Sequence, residues 1–146
     1  MMINRQLLLL LQRKVDTDLL IMHDWWASLV AAAFGNVVYI PEQTISYRQH
    51  FENSVGAVKF SFLQGIKTFN DRRKTELEAI VQAEELVRVY PDLITINTDI
   101  KTQIESFIAI KNSGVLNRVA LMNRADIWRK GILRNAVTFL SLLTIG

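Results

Sequence analysis

The chain has 146 residues, of which 50% are hydrophobic and 21% are charged, and its 17 Lys and Arg residues exceed its 14 Asp and Glu residues to give a net charge of +3. This length and composition are typical of one folded domain, residues 1–146, and they exclude a disordered chain. The absence of cysteine excludes a disulfide framework, a thiolate zinc site and a cysteine nucleophile. We therefore expect a cytoplasmic protein that carries no metal ion and no other cofactor.

The first predicted helix runs from about Asn4 to Tyr39. It ends before Pro41, because proline disfavours the helical conformation in the residue that precedes it. The apolar run from Leu7 to Leu11 is shorter than the roughly 7 to 15 residues that a secretory signal requires. We therefore expect this end of the chain to form a helix rather than a targeting segment.

The middle of the chain predicts a second helix with a long apolar face. Ser46 and Gln49 have the spacing of a capping box, which starts a helix. Apolar residues then recur at helical spacing at Phe51, Val55, Val58, Phe62, Ile66 and Phe69. The polar run at residues 70–74 fits either a turn or a helix that continues to about Tyr90. Repulsion among its three basic residues favours the turn.

The last third of the chain predicts two further helices. Residues 93–96 could form a short extended piece, and Asn97 or Thr98 is then a good N-cap for a helix. The buried face of that helix is predicted to hold Ile100, Ile104, Phe107 and Ile108. Residues 112–114 predict its end, with glycine in the left-handed conformation, and a final helix is expected over residues 115–143. The whole pattern predicts an all-α fold, a single compact bundle of four to six helices.

The pair His23-Asp24 is a candidate for acid–base or metal chemistry. Adjacent residues on a helix point about 100° apart, so these two side chains do not readily share one proton or one metal ion. We therefore expect a partly buried histidine beside an exposed aspartate. A helical nuclease that uses His23 or His50 is the enzyme alternative, but the sequence offers no second group for it, and we expect a protein that is not an enzyme.

Three tryptophans are candidate subunit contacts: Trp25, Trp26 and Trp128. Tryptophan is common at protein interfaces because it combines a large apolar area with one polar group. Trp25 and Trp26 point about 100° apart on a helix, so one is predicted to face the core while the other meets a neighbouring subunit. Burial of both in the core is an equal alternative.

Residues 19–40 are apolar enough to raise the possibility of a membrane helix. Asp24 opposes this interpretation, because an aspartate near the centre of a membrane helix costs about 2.5 to 3.5 kcal/mol. His23 and Asn36 add further polar groups. We therefore expect no membrane partner.

Positive charge is concentrated at the end of the chain. Residues 111–146 carry six basic residues and one acidic residue, a net charge of +5, so the rest of the chain carries −2. Such asymmetry can mark a surface that contacts phosphates, and it can equally be a solvated helix face. The candidate nucleic-acid contacts in this part are Arg118, Arg124, Arg129, Lys130 and Arg134. A second candidate group is Arg72, Arg73 and Lys74.

Arg118 and Arg129 are predicted to lie near the apolar side of the final helix. A buried arginine there needs an acidic or phosphate partner, because an unpaired buried charge is costly. The alternative is that both aliphatic stems lie on apolar surface while the guanidinium groups reach water.

The basic final section, KNSGVLNRVALMNRADIWRKGILRN, lies in a cysteine-free and helical chain. In this overall character the protein resembles the small subunit of CRISPR surveillance complexes. The resemblance implies a helical bundle of which several copies stack along a complex and support bound nucleic acid.

Two functions are therefore predicted. The first is a non-catalytic subunit of a nucleoprotein assembly, which contacts phosphates without sequence preference and packs on other protein subunits, including copies of itself. The alternative is a structural or adaptor subunit of a protein assembly, such as a virion or organelle complex, without nucleic-acid contact.

Overall fold

In the computed structural model, residues 2–42, 69–128 and 132–145 are described, and within them the chain forms helices joined by turns and extended connections. Seven α-helices lie in these ranges: α1 (Arg5–Leu11), α2 (His23–Phe34), α3 (Phe69–Val89), α4 (Pro91–Ile96), α5 (Thr98–Ala109), α6 (Val115–Arg124) and α7 (Ile132–Leu143). The predicted all-α bundle is confirmed. The capping box at Ser46 and the apolar stripe from Phe51 to Ile66 lie outside the described residues.

Helix α3 is the longest described helix, and it contributes to two separate apolar clusters. Its central residue Ile80 packs in a cluster with Ile110, Met122, Leu142 and Ile145. Its last turns pack in a second cluster, which consists of Trp26, Val30, Leu86, Val89, Tyr90 and Ile94. Helix α3 therefore contributes to both clusters, with its last turns packed near α2 and its middle packed near α6 and α7.

The turn predicted at residues 70–74 is wrong, because these residues lie in the first turns of α3. Lys74 forms an ion pair with Glu78 one turn later, at 3.8 Å, which offsets part of the repulsion among the three cations. The Thr75 hydroxyl donates a hydrogen bond to the Asp71 carbonyl at 3.0 Å, so Thr75 lies inside the helix rather than at its start.

The first helix predicted over residues 4–39 is also wrong as a single element, because α1 ends at Leu11 and α2 begins at His23. Asn4 is the N-cap of α1. The connection contains Asp16, whose carboxylate accepts a hydrogen bond from the Asp18 N–H at 3.1 Å. Such side-chain bonds to the local backbone compete with a continuous helix.

Two polar side chains of α3 hold this connection in place. Glu85 Oε1 accepts a hydrogen bond from the Asp16 N–H at 2.8 Å, and Gln82 Oε1 accepts one from the Ile21 N–H at 3.0 Å. The Glu85 side chain is only 2% exposed, and its hydrogen bonds with Arg88 hold its pKa below the usual range. The backbone groups that the broken helix leaves unpaired therefore find their acceptors on α3.

Arg13 also links the connection between α1 and α2 to the end of α3 and the start of α4. Its guanidinium donates two hydrogen bonds to the Asp92 carboxylate, at 2.7 and 2.9 Å, and one to the Val89 carbonyl at 3.1 Å. It also lies over the Tyr90 ring, 5.0 Å from its centroid. The buried Tyr90 hydroxyl in turn donates to the Leu10 carbonyl at 2.9 Å, so the end of α1 is attached to the end of α3.

Asn97 is the predicted N-cap of α5, and this prediction is confirmed. Its side-chain oxygen accepts hydrogen bonds from the N–H groups of Asp99 and Ile100. Residues 93–96 are not extended but belong to α4, which begins at Pro91. Proline is tolerated at this first helical position, because the N–H that it lacks would have no partner within the helix. Gly114 is not left-handed: its φ is −68°, and it is the N-cap of α6.

The final helix predicted over residues 115–143 is broken into α6 and α7. Helix α6 ends at Arg124, and Asp126 has a φ of +49°. This is the left-handed region, which aspartate tolerates better than most side chains. The change of direction at Asp126 lets α6 and α7 pack against each other.

We predict that Glu85→Ala lowers the free energy of unfolding by about 1–3 kcal/mol, because the Asp16 N–H loses its acceptor. Glu85→Gln keeps an acceptor oxygen but removes the charge, so it is the matched variant. In the wild type, the pKa of Glu85 is lower in the folded protein than in the unfolded chain, where it is about 4.3. The charged carboxylate therefore stabilises the fold fully above the unfolded pKa, and this stabilisation is lost as the pH falls through the folded pKa.

Urea unfolding at a series of pH values checks both parts of this prediction. The stability difference between the wild type and Glu85→Gln is expected to be largest at neutral pH and to shrink below about pH 4. A difference that stays constant over this range would contradict the role of the carboxylate charge.

Candidate interaction surface

Arg118 is buried, and its hydrogen bonds stabilise the fold. Its Nε donates to the Ser113 carbonyl at 2.8 Å, and one terminal nitrogen donates to the Leu143 and Leu142 carbonyls at 2.7 and 3.4 Å. These last two carbonyls end α7 and lack partners within the helix. Backbone carbonyls thus take the place of the acidic or phosphate partner predicted for Arg118, and this residue is removed from the phosphate-contact set.

The other predicted phosphate contacts whose side chains are described lie on two different helices. Arg124 is exposed at the end of α6, whereas Arg72 and Arg73 are half-buried on α3 and Lys74 pairs with Glu78. Arg129 and Lys130 lie outside the described residues, as does the side chain of Arg134. Their use as phosphate contacts stays a prediction.

Many cations of the described residues are paired with carboxylates. These ion pairs are Arg13–Asp92, Lys74–Glu78, Arg88–Glu85, Lys101–Glu105 and Lys111–Glu84. A cation paired in this way contributes little net field to its surroundings. The +5 charge counted along residues 111–146 therefore overstates the positive potential near Lys111, whose partner Glu84 lies on α3.

The two adjacent tryptophans point in different directions, as the helical geometry predicts. Trp26 is 4% exposed and lies in the core cluster, with its ring 6.2 Å from that of Tyr90. Trp25 is 48% exposed. Trp26 is therefore not available as a subunit contact, and Trp25 remains a candidate.

Trp128 is held at the surface by two contacts. Its indole N–H donates to the Asn123 side-chain oxygen at 3.0 Å, and its ring stacks on Phe139 with centroids 6.4 Å apart. The side chain nevertheless remains 41% exposed. An aromatic ring that is fixed in orientation and still exposed is typical of interface anchors, because little conformational freedom remains to be lost on binding.

Asn123 belongs to an exposed apolar surface that the sequence analysis missed. Helix α6 buries Arg118 and Met122 on one side and turns Leu116, Val119 and Ala120 outward on the other. Leu116 is 91% exposed. We define the α6 face as Val115, Leu116, Val119, Ala120, Asn123 and Trp128. The spacing of Leu116, Val119 and Ala120 was a readable signal, but the prediction for this helix rested on its basic residues.

The His23-Asp24 pair lies at the start of α2. Both side chains are exposed in the first turn of α2, so the predicted partial burial of His23 is wrong. The Asp24 carboxylate accepts a hydrogen bond from the N–H of Trp25 at 2.9 Å. Among the described residues, no group of three or more histidine, aspartate or glutamate side chains is arranged to hold a metal ion.

The helices in the described ranges do not include one with the length and apolar character needed to cross a bilayer. The apolar sequence over residues 19–40 is divided between α2 and the extended connections on either side of it.

Comparisons with protein-family models, with curated proteins and with solved structures give no match. The resemblance to the small subunit of CRISPR surveillance complexes thus rests on helical architecture and composition.

We predict that Arg118→Met lowers the free energy of unfolding by about 1–3 kcal/mol, because it leaves the carbonyls at the end of α7 without a donor. Arg124→Met, on the exposed side of the same helix, is the control and is expected to change stability by no more than about 0.5 kcal/mol. Chemical denaturation of the two variants measures the difference. Equal effects would contradict the structural role of Arg118.

Proposed function

We propose that this protein is a non-catalytic structural subunit that associates with a second copy of itself through the α6 face. The observation that carries the proposal is the outward orientation of Leu116, whose side chain is almost fully exposed beside Val119 and Ala120. A helix normally turns its apolar side chains inward. An apolar helix face turned outward is stabilised when a partner removes it from water.

Three properties of the α6 face favour a second copy as the partner. Its side chains are uncharged, so two identical faces meet without like-charge repulsion. Trp128 at its edge is already fixed by Asn123 and Phe139, which reduces the entropy lost on association. A two-fold interface also needs only one self-complementary surface, and such dimers are the commonest protein assemblies.

Nucleic-acid contact is the second candidate function. Its support among the described residues is the exposed Arg124, which ends α6 beside the proposed interface. Phosphate binding at Arg124 would weaken with rising salt concentration.

We predict that Leu116→Glu weakens self-association by at least about tenfold, because it places two like charges in an apolar interface. Asn117→Glu adds the same charge to the neighbouring residue of α6, outside the defined face, and is the matched control. Sedimentation equilibrium over a range of protein concentrations measures the dissociation constant of each variant.

Two outcomes would contradict the proposal. The wild type could remain monomeric at all accessible concentrations, or both variants could associate as tightly as the wild type. Fluorescence anisotropy with labelled oligonucleotides, at about 50 and about 200 mM salt, would then test the nucleic-acid candidate alone.

A further inference from the structure

A groove of about 570 Å³ lies between α1, the second half of α2 and the extended residues 35–40. Its size falls within the range of small-molecule sites in proteins, roughly 300–1,000 Å³. Three separate chain segments form its walls, so it is a partly enclosed concave site rather than a flat apolar patch.

The interior of the groove is apolar. Its least exposed lining side chains are Leu7 and Leu10 of α1 and Val30, Ala31 and Phe34 of α2. Phe34 lies against the ring of Tyr90, with centroids 5.1 Å apart, and Val30 belongs to the core cluster around Trp26. The side of the interior that α2 forms is therefore backed by packed core residues.

The rim of the groove, formed by its exposed lining side chains, is uncharged and mixes polar and apolar residues. Its polar side chains are those of Asn4, Gln6, Ser28 and Asn36, and its large apolar ones are those of Met2, Ile3, Val37, Val38, Tyr39 and Ile40. Asn4 and Ser28 already form hydrogen bonds within their own helices, to the Leu7 N–H and the Asp24 carbonyl. None of the lining residues among those described carries a charge.

From this distribution we infer that the groove binds a neutral and mainly apolar small molecule. The hydrocarbon part of such a molecule would cover Val30 and Phe34, which favours burial through the hydrophobic effect. A hydroxyl or amide group of the molecule would lie at the rim, near Gln6 and Asn36. An ionic group is disfavoured, because it would leave water without finding a counter-charge in the lining.

The test uses the neutral fluorescent probe N-phenyl-1-naphthylamine and its anionic analogue 1-anilinonaphthalene-8-sulfonate. We expect the neutral probe to bind the wild type with a stoichiometry of one and more tightly than the anionic one. Ala31→Phe fills the interior and is expected to weaken binding of the neutral probe by at least about tenfold. Ala32→Phe adds the same ring to the next residue of α2, which is exposed and outside the groove, and should leave binding unchanged.

A second variant keeps the test valid if Ala31→Phe does not fold. Val38→Asp places a carboxylate on the wall of the groove at a residue that is 79% exposed, so it is expected to fold and to weaken binding of the neutral probe. Several probes bound per chain, or equal affinity in all three variants, would overturn the inference. The Leu116→Glu variant should bind the probe normally, which separates this result from the test of self-association.

Discussion

The structure depends on the need to pair backbone polar groups where its helices are interrupted. Glu85 and Gln82 project from α3 and accept hydrogen bonds from the N–H groups of Asp16 and Ile21. A buried N–H without a partner costs free energy comparable to a lost hydrogen bond. Together with the contacts of Arg13 and Tyr90, these two acceptors stabilise the observed path of the segment between α1 and α2.

The same device occurs at the other end of the bundle, where Arg118 of α6 donates to the final carbonyls of α7. In both places a polar side chain on one helix completes the backbone of another, far away in sequence. These bonds explain why buried polar residues lie beside two apolar clusters. They also assign Arg118 to stability, and this leaves uncharged surfaces, the α6 face and the groove, as the features that most favour binding.

The sequence predicts the helical class and the N-cap at Asn97, because both depend on local pattern. It does not predict the breaks at residues 12–22 and 125–128, because the partners that stabilise the first lie on α3, far away in sequence. Asp16 and Asp126 were the local signals, since aspartate favours caps and turns. The prediction for the candidate site also rested on local pattern. The basic residues of segment 111–146 were interpreted as candidate phosphate contacts, although the first arginine of that segment, Arg118, is buried.

Amide hydrogen exchange, followed residue by residue by NMR, tests the central claim most directly. If the side chains of Glu85 and Gln82 hold the irregular segment, the amides of Asp16 and Ile21 will exchange slowly, with protection similar to that of the amides around Leu86 in α3. Exchange of these two amides at the rate of an unprotected chain, while α3 remains protected, would contradict the account.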